Sequence, residues 1–264
     1  MKLAVMSVEP MLGKSTLCTM LASTFAISQA QYSCIISTGP LKNLIDGITL
    51  EFDNRDVADS YMQHAVLQNS ESKENSVLDM AIRQGKDNVF IYECFDDQRD
   101  IEDAEEFAKL CLTKVPAEFI LCEIDNLTKP LVNQEIIDEC DARLVLFDIS
   151  ASSLKKTHEF YESMSDSDKL RTFFCVAKYD QKVTSLKSIQ SKLGKNFPTK
   201  LFFMPYSPAV AKLSYEGELD KAGYNIVTGM PEFQEFRLRM YDIMSACFDS
   251  PERKIIRTVD KWYK

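Results

Sequence analysis

The chain has 264 residues, 45% of them hydrophobic and 27% charged, values that allow a sizeable core and exclude a disordered, collagenous or low-complexity chain. Its 31 Lys and Arg against 40 Asp and Glu leave a formal charge of −9. A surface of that sign repels phosphate backbones, so nucleic acid is not an expected partner.

In chain order, the apolar run Leu3–Val8 predicts a first strand, and Ser15–Ala30 a helix with Leu17, Leu21 and Phe25 on one face. Ser33–Ile36 predicts the next strand. The polar stretch from Asn69 to Asn75 reads as a surface loop, Val89–Tyr92 as a strand and Ile101–Leu112 as an acidic-start helix. Strands are then expected at Phe119–Glu123, Leu144–Asp148, Thr172–Ala177 and Leu201–Met204. Helices are expected at Asn133–Cys140, Leu154–Met164 and Thr184–Leu193, the last closed by Gly194. Pro231 opens a further helix with Phe233, Phe236, Met240, Ile243, Met244 and Cys247 on its core face. Short runs that are apolar on both faces are the mark of buried parallel strands. Their alternation with helices predicts a single-domain α/β fold, a mostly parallel sheet flanked by helices, over residues 1–248.

Eight cysteines, at 18, 34, 94, 111, 122, 140, 175 and 247, are never closer than eleven residues, so no CxxC metal knuckle exists. Most lie in apolar runs and read as free core thiols of a reducing, cytoplasmic setting. The leading apolar run is too short for a signal peptide core, and no 18-residue apolar stretch occurs.

The first strand runs into Glu9-Pro10-Met11-Leu12-Gly13-Lys14-Ser15-Thr16 and then a helix. Strand, loop ending in Gly-Lys-Ser, helix is the context of a phosphate-binding loop. Backbone amides around Gly13 and the helix N-terminus would face phosphate oxygens; Lys14 would bridge the terminal phosphates and the Ser15 hydroxyl would ligate Mg²⁺. Gly13, Lys14, Ser15 and Thr16 are the candidate nucleotide ligands. The first glycine of the full pattern falls at Val8, so the match is incomplete.

The whole chain resembles the ParA/MinD family of P-loop ATPases. Its loop Lys-Gly-Gly-x-Gly-Lys-Thr corresponds to Glu9–Ser15 here, and further stretches agree in order. Glu118–Asp125 is similar to the family's fDyIiiDlp strand, Ile136–Leu146 to the segment after it, Val176-Ala177-Lys178-Tyr179-Asp180 to vNkyD, and Met204–Val210 to iPydpav. The resemblance implies ATP or ADP with Mg²⁺ as ligand and a homodimer that closes across the nucleotide. It also marks departures. The family's signature lysine, which reaches the partner's phosphates, falls at Glu9, whose carboxylate would repel phosphate. Two loop glycines fall at Pro10 and Met11. The paired aspartates that end the second strand are missing at Ser37 and Thr38, and the adenine-reading Asn falls at Ala177. Hydrolysis is therefore expected to be weak or absent.

On the metal side, strand alignment favours Glu123 and residue identity favours Asp125; both stay open. The acidic run Glu93, Asp96, Asp97, Asp100, Glu102, Asp103, Glu105 and Glu106 reads as a solvated loop and helix start. His64 and His158 read as surface residues. Residues 249–264 form a basic amphipathic tail. Arg253, Lys254, Arg257, Lys261 and Lys264 outnumber Glu252 and Asp260, with Ile255, Val259 and Trp262 at i, i+4, i+7. It either packs on the acidic body or makes weak contact with a membrane or acidic partner. The leading functional expectation is a ParA/MinD-like protein that positions a membrane-associated machine, such as a pilus, secretion or conjugation apparatus, as the TadZ/CpaE group does. A catalytically dead interaction scaffold, a partition ATPase and a small ATP-dependent ligase are the alternatives.

Overall fold

A computed structural model of the chain describes residues 1–38, 82–83, 89–93, 109, 111–115, 117–125, 130–194, 196–197 and 201–248. The strands are β1 (Lys2–Ser7), β2 (Ser33–Ser37), β3 (Ile82–Arg83), β4 (Val89–Glu93), β5 (Phe119–Glu123), β6 (Ala142–Phe147), β7 (Thr172–Tyr179) and β8 (Phe202–Pro205). The helices are α1 (Lys14–Gln29), α2 (Pro130–Asp138), α3 (Ala151–Ser163), α4 (Asp166–Leu170), α5 (Leu186–Leu193), α6 (Pro208–Tyr215), α7 (Asp220–Thr228) and α8 (Gln234–Phe248). The strand order is β3-β4-β2-β5-β1-β6-β7-β8. Seven strands run parallel, and the two-residue β3 pairs antiparallel with β4 at one edge.

The sheet is buried on both faces because successive side chains alternate sides. Leu3 and Val5 of β1 pack with Leu17, Leu21 and Phe25 of α1, Ile226 of α7 and Met240 of α8. Ala4 and Met6 point the other way, into a second core with Ile136 of α2, Leu154 of α3 and Ile189 of α5. All five residues of β2 and β5 are buried. The chain leaves β1 for α1 on one face and leaves β6 for α3 on the other. The neighbouring ends of β1 and β6 thus form a topological switch point, the usual place for a ligand in an open α/β sheet.

The seven parallel strands fall where the apolar runs predict them, with ends shifted by up to two residues. β3, α4, α6 and α7 have no counterpart among the predicted elements. Serine caps set two helix starts earlier or later than hydrophobic spacing does, and open a third helix that spacing does not predict. Ser150 Oγ accepts from Ser153 N and opens α3 at Ala151, Ser185 opens α5, and Ser207 caps α6 ahead of Pro208. Pro231–Phe233 is a 3₁₀ turn, and α8 begins after it. The predicted core face of that helix is buried throughout. The predicted loop from Asn69 to Asn75 and most of the helix Ile101–Leu112 lie outside the described residues. The seven cysteines among the described residues are all buried. Among the described residues, no helix is long and apolar enough to cross a membrane.

α1 carries ten consecutive buried residues, Leu17 to Ala26. It lies between the sheet and α7, which crosses it at Gly223. A Cβ built there would stand 2.2 Å from Ser23 Cβ and 2.9 Å from the Ser23 backbone carbon. Only hydrogen fits that crossing, so Gly223→Ala must push α7 off α1. We expect a loss of about 1–3 kcal/mol in urea unfolding with an unchanged m-value; a loss below about 0.5 kcal/mol would show that the two helices separate without cost.

Candidate nucleotide site

β1 ends between β5 and β6, with Val5 opposite Glu123 and Ser7 opposite Leu146. The loop that follows is tied at several points. Val8 N donates to the Leu146 carbonyl (3.1 Å), and Ser7 Oγ donates to the Glu9 carbonyl (2.6 Å). Met11 has φ +62°, a left-handed conformation, and is 87% exposed. That conformation costs a residue with a Cβ about 1–2 kcal/mol. Gly13 has φ +85° with open space where a Cβ would sit, so its backbone conformation and not room is what requires glycine. The Gly13 carbonyl then accepts from Leu17 N and α1 begins.

Lys14 and Ser15 point back to the strand ends. Lys14 Nζ donates to Ser7 Oγ (3.1 Å). Ser15 Oγ donates to Glu123 Oε1 (2.5 Å). Glu123 is 7% exposed, and its Oε2 is buried without a hydrogen-bond partner. Burial pushes its carboxyl above the usual range, against the pull of the Ser15 hydroxyl and the Lys14 ammonium. An unpartnered carboxylate oxygen beside a hydroxyl is the hard-oxygen donor set that suits Mg²⁺. Of the two acids left open by the sequence, Glu123 is the one that meets Ser15. Asp125 lies two residues beyond β5, where its N–H donates to Thr38 Oγ1 (2.8 Å) and its carbonyl accepts from Asn133 Nδ2 (2.6 Å). Thr38 N in turn donates to the Glu123 carbonyl (3.0 Å), so the ends of β2 and β5 are locked together.

Beside the loop lies a cavity of about 180 Å³. Its lining includes Gly13, Thr16, Leu17, Met20, Leu146, Ala177, Lys178 and Tyr206. The lining is mainly apolar, and Ala177 contributes no polar side chain to it. Lys178 has φ +51° at a register shift in β7 and reaches back to donate to the Met11 carbonyl (3.1 Å).

Glu9 turns toward its own chain. Its Oε1 accepts from Ser152 Oγ (2.8 Å) and Lys156 Nζ (2.9 Å), both on α3. These bonds hold its carboxyl below the usual range. The negative charge of Glu9 is thus paired within the chain.

Ser7, Thr38, Asn133, Lys156 and Lys178 were not among the sequence candidates. Lys178 sat inside a quoted stretch, but Lys156 is 147 residues from Glu9 and carries no local signal. His158 is exposed on α3. His64, most of the acidic run from Asp96 onward and the tail lie outside the described residues. Among the described residues, no three or more His, Cys, Asp or Glu side chains are grouped to hold a metal by themselves.

Glu123→Gln keeps an acceptor for Ser15 and removes a buried ionisable group. We expect unfolding stability to stay level or rise by up to about 2 kcal/mol, with the Mg²⁺-dependent part of any nucleotide affinity lost. A stability loss above about 1 kcal/mol in thermal or urea unfolding would show that the ionised carboxylate is well held.

No family model matches the chain, and no curated protein matches it in sequence. Solved structures do resemble it. The MinC:MinD cell division complex of Aquifex aeolicus superposes with a TM-score of 0.67 at 15% identity, over 92% of this chain and 95% of that one. A ParA family ATPase from Chlorobium tepidum gives 0.64 at 14% identity, over 92% and 97%. The septum site-determining protein MinD of Pyrococcus horikoshii, complexed with Mg-ADP, gives 0.64 at 15% identity, over 96% and 99%. The chain has the fold of the MinD and ParA P-loop ATPases.

Proposed function

We propose that residues 1–248 bind ATP or ADP with Mg²⁺ through Gly13, Lys14, Ser15 and Thr16, and that hydrolysis is slow or absent. The observation that carries this reading is the convergence of Lys14, Ser15 and the buried, half-partnered carboxylate of Glu123 at the end of β1. The cavity beside Thr16 and Ala177 supports it with room next to the phosphates. When bound, the cation would neutralise phosphate charge; Ser15 and Glu123 would hold it, with Asp125 two residues on. Weak turnover follows from the neutral Ser37 and Thr38 at the end of β2, which offer no carboxylate to orient water.

The wider reading is a switch-like protein that positions or assembles a membrane-associated pilus, secretion or conjugation machine, akin to the TadZ/CpaE group, through protein partners and a homodimer that does not close across the nucleotide. Its support is the fold and the weakened loop. The tail at 249–264 would add weak peripheral membrane contact through Arg253, Lys254, Ile255, Arg257, Val259, Lys261 and Trp262. The interaction scaffold is a second reading. Lys14 and Ser15 already have partners in Ser7 and Glu123, which favours a loop that holds its shape without nucleotide.

Calorimetric titration with Mg-ADP and Mg-ATP separates the two. Nucleotide binding predicts measurable affinity that Lys14→Ala abolishes with the fold intact, and turnover below about 1 per second. No binding at millimolar ATP favours the scaffold. Faster turnover means the missing carboxylate is supplied elsewhere. For the tail, co-sedimentation with anionic vesicles should fall with added salt and on ending the chain at Ser250; equal partitioning of the two chains removes the membrane contact.

A further inference from the structure

The phosphate loop is held to α3 by a contact that local sequence does not announce. The two donors to Glu9 are Ser152 and Lys156, spaced i, i+4 and therefore on one face of α3. That end of α3 is itself rigid: Ser150 caps it, and Ser153 Oγ accepts from Asp148 N (2.9 Å). The Glu9 backbone continues the line inward. Its carbonyl accepts from Ser7 Oγ, and Ser7 Oγ accepts from Lys14 Nζ. Three short contacts thus run from Lys156 to Lys14. The Glu9 side chain is 20% exposed and that of Lys156 51%, so the pair is partly shielded at the Glu9 end.

We propose that Glu9 is an intrachain positioning residue, clasped by Ser152 and Lys156, that holds the phosphate loop and Lys14 in their binding arrangement without a second subunit. The proposal rests on the reading of Lys14 as a nucleotide ligand. A lysine at this position would reach outward to a phosphate; a glutamate is drawn inward by a cation of its own chain. The position thereby changes from a group shared between subunits to a strut within one. Nucleotide affinity becomes a property of the monomer, and Lys156 and Ser152 become determinants of it.

The test combines two readouts on the full chain: amide hydrogen exchange over residues 8–13, and calorimetric Kd for Mg-ADP at two protein concentrations. Glu9→Ala and Lys156→Met should each speed exchange in the loop and weaken Mg-ADP by about 3- to 10-fold. The double variant should lose no more than either single one, as expected for one shared interaction. The swapped pair Glu9→Lys with Lys156→Glu should recover at least part of the loss, which simple truncation damage would not. Kd should not change with protein concentration. Unchanged exchange and affinity in both single variants, or fully additive losses, overturns the clasp while Lys14→Ala still reports on the nucleotide site. If the wild type binds no Mg-ADP, the nucleotide reading fails, and loop exchange in the same variants still decides whether the clasp exists.

Discussion

The parallel ladder that places β1 between β5 and β6 is the constraint on which the rest depends. It sets Val5 beside Glu123 and Ser7 beside Leu146. With that register, the chain leaving Ser7 must pass over the end of β6, turn at Gly13 and enter α1 with Ser15 against Glu123. A slip of one residue would swap the two faces of β1, putting Leu3 and Val5 where Ala4 and Met6 now pack. Both faces are buried under helices, so the slip is prohibited by packing, and the placement of Ser15 is enforced by core residues that never touch it.

The same economy shows in α1. A helix that follows so tightly turned a loop needs a firm seat, and this one is buried over ten consecutive residues. Small residues make that possible: Thr19, Ser23 and Thr24 are fully buried, and Gly223 brings α7 to the Ser23 backbone. Farther along, Phe25 packs against Phe119 and stacks on Phe248 at 5.5 Å. The loop is thus mounted on the most completely buried helix of the described chain.

The loop above that seat has exchanged flexibility for ties. Pro10 has no amide to offer a phosphate. Met11 keeps a glycine conformation at a cost, and Lys178, itself at positive φ, accepts similar strain to reach the Met11 carbonyl. Strained residues persist only where their surroundings over-determine them, and they gather at functional sites. Glu9 adds the remaining tie, to α3. The electrostatic outcome is a β1–α1 loop whose acidic residue is neutralised inside the chain. Lys14, the first residue of α1, rests on the neutral Ser7 hydroxyl, a weaker partner than a carboxylate.

The sequence by itself determined the strands and the loop. β1, β2, β5, β6 and β7 are short, doubly apolar runs, and burial on both faces is the only stable use of such runs. Gly13-Lys14-Ser15 at the end of the first of them carries its meaning locally, because the strand-loop-helix context lies within thirty residues. Ser150 and Ser185 are local cap signals too, but hydrophobic spacing places those two helix starts elsewhere. Tertiary structure alone decided the rest. Strand alignment and residue identity point to different acids, and only the parallel register with β1 shows that Glu123 is the one that meets Ser15. Residue identity could not show that Glu9 meets Lys156, because Coulomb attraction acts through space between residues that only the β1–β6 pairing brings together. Nor could it show Gly223 as a helix crossing, since a glycine within a helix reads as a defect until the neighbouring backbone is in place.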